Sequence, residues 1–186
     1  MTTLSTEPQA PSLTALDFRP YLNDEGCLPD QLSKVVGVYA IFDRDQGLQF
    51  VGYSRDVAMS LKQHLVRCPD LCHWFKVQTI DRPKRSVLED IQSAWIAENG
   101  DRPPGNSADT ERWTQPIDAK LEMTEEEQAL YAAASNEVEQ AKTLKNIARR
   151  VEAEVKAVLE QRGVKEPIRF DPKLNEQGLL NIKPAK

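Results

Sequence analysis

The stretch VVGVYAIFDRDQGLQFVGYSRDVAMSLKQHL, residues 35–65, constrains this chain more than any other. Val35 to Phe42 is β-branched and aromatic, Leu48 to Tyr53 is again strand-like, and Asp43-Arg44-Asp45-Gln46-Gly47 between them is turn-forming. Two such runs around a short polar turn predict an antiparallel hairpin. Ser54 or Asp56 can then cap a helix whose apolar positions Val57, Leu61 and Leu65 recur at four-residue spacing. A hairpin needs further elements to cover its apolar faces, and the next residues supply them. His73 to Ile80 alternates as a third strand. Arg85 to Glu98 reads as a helix with Val87, Ile91, Ala94 and Trp95 on its inward stripe and Gly100 beyond its end. Pro103-Pro104-Gly105-Asn106 continues no regular element. The expected fold is α+β: a small domain over residues 31–107 with a three-stranded sheet flanked by helices.

The flanking segments differ in kind. Residues 1–30 read as a flexible leader rich in Pro, Ser and Thr at its start, with Phe18, Tyr21 and Leu28 packing on the domain without regular structure. Residues 108–123 read as a linker. Thr124-Glu125-Glu126-Glu127 then has capping-box spacing, and neither Gly nor Pro appears before Gly163. Leu130, Ala134, Val138, Ala141, Leu144, Ala148, Val151, Val155 and Val158 recur at threes and fours. This predicts one amphipathic helix over 124–163, roughly 38 residues and 55 Å long at 1.5 Å per residue. Its stripe is thin and rich in Ala and Val, so it needs a partner surface: its own domain, a second copy in a coiled coil, or another protein. The tail, 164–186, is apolar enough for a docking peptide or a strap.

Composition narrows the function classes. A net charge of -5 is the wrong sign for strong nonspecific attraction to a phosphate backbone, although residues 31–107 are nearly balanced and are the least hostile to nucleic acid. No apolar run approaches the roughly 20 residues that cross a bilayer, which predicts no membrane span. The N-terminus has neither a secretory pattern nor the Arg-rich character of a transit peptide, so a cytoplasmic protein is expected. Cys27, Cys68 and Cys72 form an odd set that a reducing compartment leaves as thiols. Cys68, Cys72 and His73 resemble half a metal site, which Cys27 or His64 would have to complete by folding back. Packed or exposed free thiols are the simpler reading.

Gly37-Val38-Tyr39 on the first strand and Phe50-Val51-Gly52 on the second, followed by a Ser-led helix ending in His64, resemble the paired tripeptides of the GIY-YIG nuclease superfamily. Glu89 in the later helix and Asn106 after the proline pair fall where that family places its metal-binding Glu and its closing Asn. The Trp95 and Pro-Pro-Gly-Asn context is similar to a cyanobacterial and plastid branch. The resemblance covers residues 34–107 and leaves the long helix aside. It implies a water-orienting phenol at Tyr39, Mg²⁺ or Mn²⁺ held by Glu89, and a proton carrier or phosphate contact at His64. The sequence departs from the family at the essential cation: eight residues after Gly52 stands Ser60, not arginine, and Phe50 lacks the hydroxyl of the second tyrosine. Losing a transition-state cation of this type costs about 2.7–4 kcal/mol or more. Arg55, early in the same loop-helix junction, is the better surrogate; Lys62, two residues beyond Ser60, falls about 200° around the helix on nearly the opposite face, and neither matches by position. Each retained residue also has a purely structural reading: Gly37 and Gly52 as tight packing, Tyr39 and His64 as satisfied core polar groups, Glu89 as a surface carboxylate near Lys84 and Arg85, Asn106 as a turn residue. The expectation is a catalytically degenerate member acting as a binding or assembly module. The alternative is a divalent-metal-dependent, structure-specific endonuclease acting on DNA.

Overall fold

A computed structural model describes residues 10–184. The predicted hairpin is present as β2 (Gly37–Phe42) and β3 (Leu48–Ser54), paired antiparallel, with Ile41 opposite Phe50 and a register shift before Phe42 pairs with Leu48. Asp43 closes the turn: its carboxylate accepts from the amides of Asp45 and Gly47, and Gln46 takes a positive φ of 63°. Helix α1 (Val57–Arg67) follows, capped by Asp56, whose side chain accepts from the Met59 amide. Strand β4 (Trp74–Thr79) pairs with β2, and α2 (Arg85–Asn99) ends at Gly100 with φ 86°.

The sheet has four strands where three were expected, in the order β1-β4-β2-β3, every pair antiparallel. The extra strand, β1 (Arg19–Pro20), pairs with β4 and comes from the segment expected to lack regular structure. Residues 10–30 are therefore not a flexible leader. Leu13, Tyr21 and Leu28 are buried, and Tyr21 donates its hydroxyl to the Leu61 carbonyl at 2.6 Å. Glu98 gathers this segment by accepting from the Leu13 and Thr14 amides and from the Ser12 and Thr14 hydroxyls. The part of the leader at residues 1–9 lies outside the described residues.

Alternation along β2 divides the core into two layers. Tyr39 and Ile41 face α1 with Val57, Leu61 and Leu65, while Val38, Ala40 and Phe42 face α2 with Leu88, Ile91 and Trp95. Val87 sits off the inward stripe and is exposed, Leu88 taking its place.

The expected linker is packed as well. Within it lie α3 (Thr110–Thr114), whose Trp113 is fully buried, and β5 (Ile117–Asp118). The single long helix is two: α4 (Glu125–Ala133) and α5 (Glu137–Gln161). The break is a capping event, because Asn136 accepts from the Glu139 amide while the Glu139 carboxylate accepts from the Ser135 amide. Helix α5 folds back along its own domain and buries Leu144, Ile147, Ala148, Val151 and Leu159. The tail is a strap: β6 (Leu179–Leu180) pairs with β5, and Phe170, Leu180 and Ile182 are buried.

Candidate functional site

The residues singled out in the sequence fall into two groups on opposite faces of the sheet. Tyr39 pairs with Gly52 and Val38 with Tyr53, so the Tyr39 and Tyr53 side chains leave the sheet in opposite directions. On the α1 face, the Tyr39 hydroxyl and His64 Nε2 are 2.9 Å apart. Both residues are almost fully buried, at 3% and 4% exposure. Burial, reinforced by the nearby Arg67 guanidinium, lowers the His64 pKa to about 3, and burial likewise raises the Tyr39 phenol well above its ordinary value. The pair is therefore neutral. Phe50 lies 4.6 Å and Trp113 5.5 Å from the imidazole, ring centre to ring centre, and the two aromatic rings stack at 5.3 Å. A phenol and a neutral imidazole packed in this way are buried polar groups of the core.

The tripeptide glycines follow from the same packing. A Cβ on Gly52 would stand 2.6 Å from the Phe50 ring and 2.9 Å from the Tyr39 hydroxyl, and one on Gly37 would stand 2.6 Å from the Gln78 carbonyl. Ser60, at the expected arginine position, donates to the Ser54 hydroxyl at 2.7 Å.

On the α2 face, Glu89 accepts from Arg85 Nε at 2.7 Å and from the Tyr53 hydroxyl at 3.2 Å. The hydrogen bond to Arg85 holds its carboxyl below the usual range. Beside it, Tyr53, Ser54, Arg55, Pro83, Arg85 and Leu88 line an open depression of about 430 Å³. Arg55 lines the same depression as Tyr53 and Arg85, the two residues that donate to Glu89, whereas Tyr39 and His64 belong to the other layer. Among the described residues no three His, Cys, Asp or Glu side chains gather as metal ligands. Glu89 is a lone carboxylate in an i,i+4 ion pair with an exposed arginine.

Among the described residues Cys68, Cys72 and His73 do not gather as a set of metal ligands either. Cys68 and Cys72 are fully buried, and burial pushes the Cys68 thiol up to about 12 and the Cys72 thiol well above its usual value. The thiolate is the nucleophile, so burial disfavours the reactive form of both thiols. Cys27 is half-exposed. Arg162, just past α5, holds the turn between the two buried cysteines by donating to the Pro69 and Cys72 carbonyls.

Three further anchoring residues had weaker sequence signals. Asn106 Oδ1 accepts from the Val51 amide and its Nδ2 donates to the Val51 carbonyl, both at 2.8 Å, so its side-chain amide pairs with the outer edge of β3 as a strand would. Arg67 donates to the Trp113 carbonyl and to Asn181, tying α1 to α3 and the strap. Glu98 reads as an ordinary helix-end carboxylate until its four donors are seen. A tryptophan inside the assigned linker was the one available sign that residues 108–123 pack.

No family model matches the chain. It is similar to a chloroplastic bifunctional monothiol glutaredoxin of Arabidopsis thaliana, 40% identical over 83 residues, which is 42% of this chain and 28% of that protein. The chain thus spans little more than a quarter of the curated relative it matches. This corrects the GIY-YIG identification and the nuclease, endonuclease and DNA-cleavage readings drawn from it: the relative is described as a glutaredoxin, and the α+β architecture stands without the nuclease assignment. The relative is chloroplastic, which leaves a cytoplasmic location without support of its own. Among the described residues no helix is long and apolar enough to cross a membrane.

Proposed function

We propose that this chain is an accessory domain of thiol-redox chemistry of the monothiol glutaredoxin class, working beside a glutaredoxin and not as one. The observation that carries this reading is the state of its cysteines in a chain that shares 40% identity over 83 residues with a bifunctional monothiol glutaredoxin. Thiol–disulfide exchange needs a thiolate that its substrate can reach. Cys68 and Cys72 are buried with raised thiol pKa values, and half-exposed Cys27 donates from its sulfur to the Glu25 carbonyl at 3.9 Å. The relative carries two functions by name and this chain spans 28% of it, so a division of labour with the reactive thiol elsewhere fits both facts. The compartment in this reading is reducing, in keeping with three free cysteines: a plastid, after the relative, or the cytoplasm.

The test is reduction of a glutathionylated model peptide by the purified chain alone and by a monothiol glutaredoxin titrated with the chain. The chain alone is expected to show no turnover, and its addition to shift the glutaredoxin's KM or kcat in a saturable way. Turnover by the chain alone that disappears in Cys27→Ser would make it the oxidoreductase itself and overturn the reading.

A further inference from the structure

Helix α4 has the sequence EEEQALYAA, and Ala129, Leu130, Tyr131, Ala132 and Ala133 make more than half of it apolar, yet none of its residues is buried. A helix this short is not stable on its own, and a bare apolar half is normally covered. What holds α4 in place is polar. Its capping box at Thr124 and Glu127 fixes the start, and Arg150 of α5 donates to both Glu127 carboxylate oxygens at 2.7 Å and to the Glu122 carbonyl. Glu127, Tyr131 and Ala134 are half-covered on the side of this anchor, which leaves Glu126, Leu130 and Ala133 facing outward at helical spacing. Leu130 is 63% exposed, and Leu121 before the helix and Val138 after it are likewise exposed large apolar side chains, at 82% and 78%.

Charge identifies what would cover it. Between Lys120 and Lys142 there are six glutamates and no lysine or arginine, and of the six only Glu127 is in a salt bridge among the described residues. A second copy would bring the same acidic rim against this one, which like-charge repulsion disfavours. Residues 1–9 contain no basic side chain, and the C-terminal strap is seated by the β5–β6 pair and the Phe170–Ile182 bridge. We propose that the outer face of α4, with Leu121 and Val138, docks a basic amphipathic segment of a partner protein, with apolar side chains on Leu130 and lysines or arginines against Glu122, Glu125, Glu126 and Glu137. This surface stands independently of the redox reading.

The test is fluorescence anisotropy with the full chain and three labelled designed peptides: a Leu/Lys amphipathic helix, its Leu/Glu counterpart, and a lysine-rich peptide without leucine. Only the Leu/Lys peptide is expected to bind. Leu130→Ser combined with Val138→Ser is expected to weaken it at least tenfold while leaving the circular dichroism spectrum and melting temperature unchanged, since both side chains are exposed. Glu125→Gln with Glu126→Gln is expected to flatten the salt dependence. Affinity that the serine variant does not change would show bare charge attraction and overturn the proposal, as would absence of binding. A concentration-dependent dimer in light scattering that Leu130→Ser abolishes would overturn it in favour of a second copy.

Discussion

Replacing Asn106 by alanine tests whether one side chain stands in for a missing strand. Strand β3 is the outer edge of the sheet, so the backbone groups pointing away from β2 would lack partners. Val51 is fully buried, and Asn106 satisfies both its N–H and its C=O. The carbonyl has a second donor in Gln92 Nε2 at 2.9 Å; the amide N–H has no second acceptor among the described residues. Asn106→Ala therefore removes one hydrogen bond whose acceptor stays satisfied, worth about 0.5–1.5 kcal/mol, and orphans a buried N–H at a cost of about 1–3 kcal/mol. The expected loss is about 2–4 kcal/mol, which for a chain of this size lowers the melting temperature by roughly 5–15 °C. Asn106→Asp separates the two contributions: its carboxylate still accepts from the amide but faces the Val51 carbonyl without a donor. Urea unfolding followed by circular dichroism and by tryptophan fluorescence measures the difference, and coincidence of the two probes licenses a two-state fit. In a double-mutant cycle, Gln92→Ala and Asn106→Ala should cost more together than the sum of each alone, because the carbonyl then loses both donors. A change below about 0.5 kcal/mol for Asn106→Ala would refute the edge-pairing argument.

Two further outcomes follow from named groups. His64 has its folded pKa lowered from 6.5 to about 3, so below pH 6.5 the unfolded chain takes up a proton that the folded chain refuses. Stability contributed by the neutral imidazole is complete above pH 6.5 and is lost as pH falls toward 3, at no more than about 1.4 kcal/mol per pH unit; urea midpoints measured from pH 7 to 4 should show this slope, and His64→Phe should flatten it. Glu98, its carboxyl lowered to about 2 chiefly by the Ser12 hydroxyl and the Thr14 amide, ties residues 12–14 to the end of α2. Glu98→Gln should release that segment to limited proteolysis near Leu13 while the rest of the chain stays resistant, and an unchanged digestion rate would show that burial of Leu13 and Tyr21 is sufficient by itself.

The elements most legible in the sequence are those whose signals are local. Alternation, the Asp43–Gly47 turn, the Asp56 cap, the Thr124 capping box and Gly100 each act over a few residues, and β2, β3, β4, α1, α2 and the start of α4 stand close to where those signals put them. Errors arose where a local pattern was ambiguous. The Ser135-Asn136 cap splits a Gly- and Pro-free run into two helices, because Asn with Glu three residues later is as good a helix start as Thr124 with Glu127. Two-residue strands such as β1, β5 and β6 are too short to show a period of two. Tyr39, His64, Glu89 and Arg55 were grouped by resemblance to an ordered motif, which fixes order along the chain but not which face of the sheet each side chain leaves.

By itself the sequence determined β2, β3, β4, α1, α2 and the start of α4, close to where they begin and end, and that a hairpin with two helices forms the centre of the molecule, since these depend on propensity, capping and periodicity within a turn or two. Only the tertiary structure decided the rest: that Tyr39 and His64 are sealed and neutral while Glu89 lies on the opposite face, that Asn106 closes the β3 edge, that both segments flanking the central domain pack onto it, and that α4 is left bare. Burial, and with it the charge state of a histidine or the reactivity of a thiol, is set by atoms brought together from distant parts of the chain.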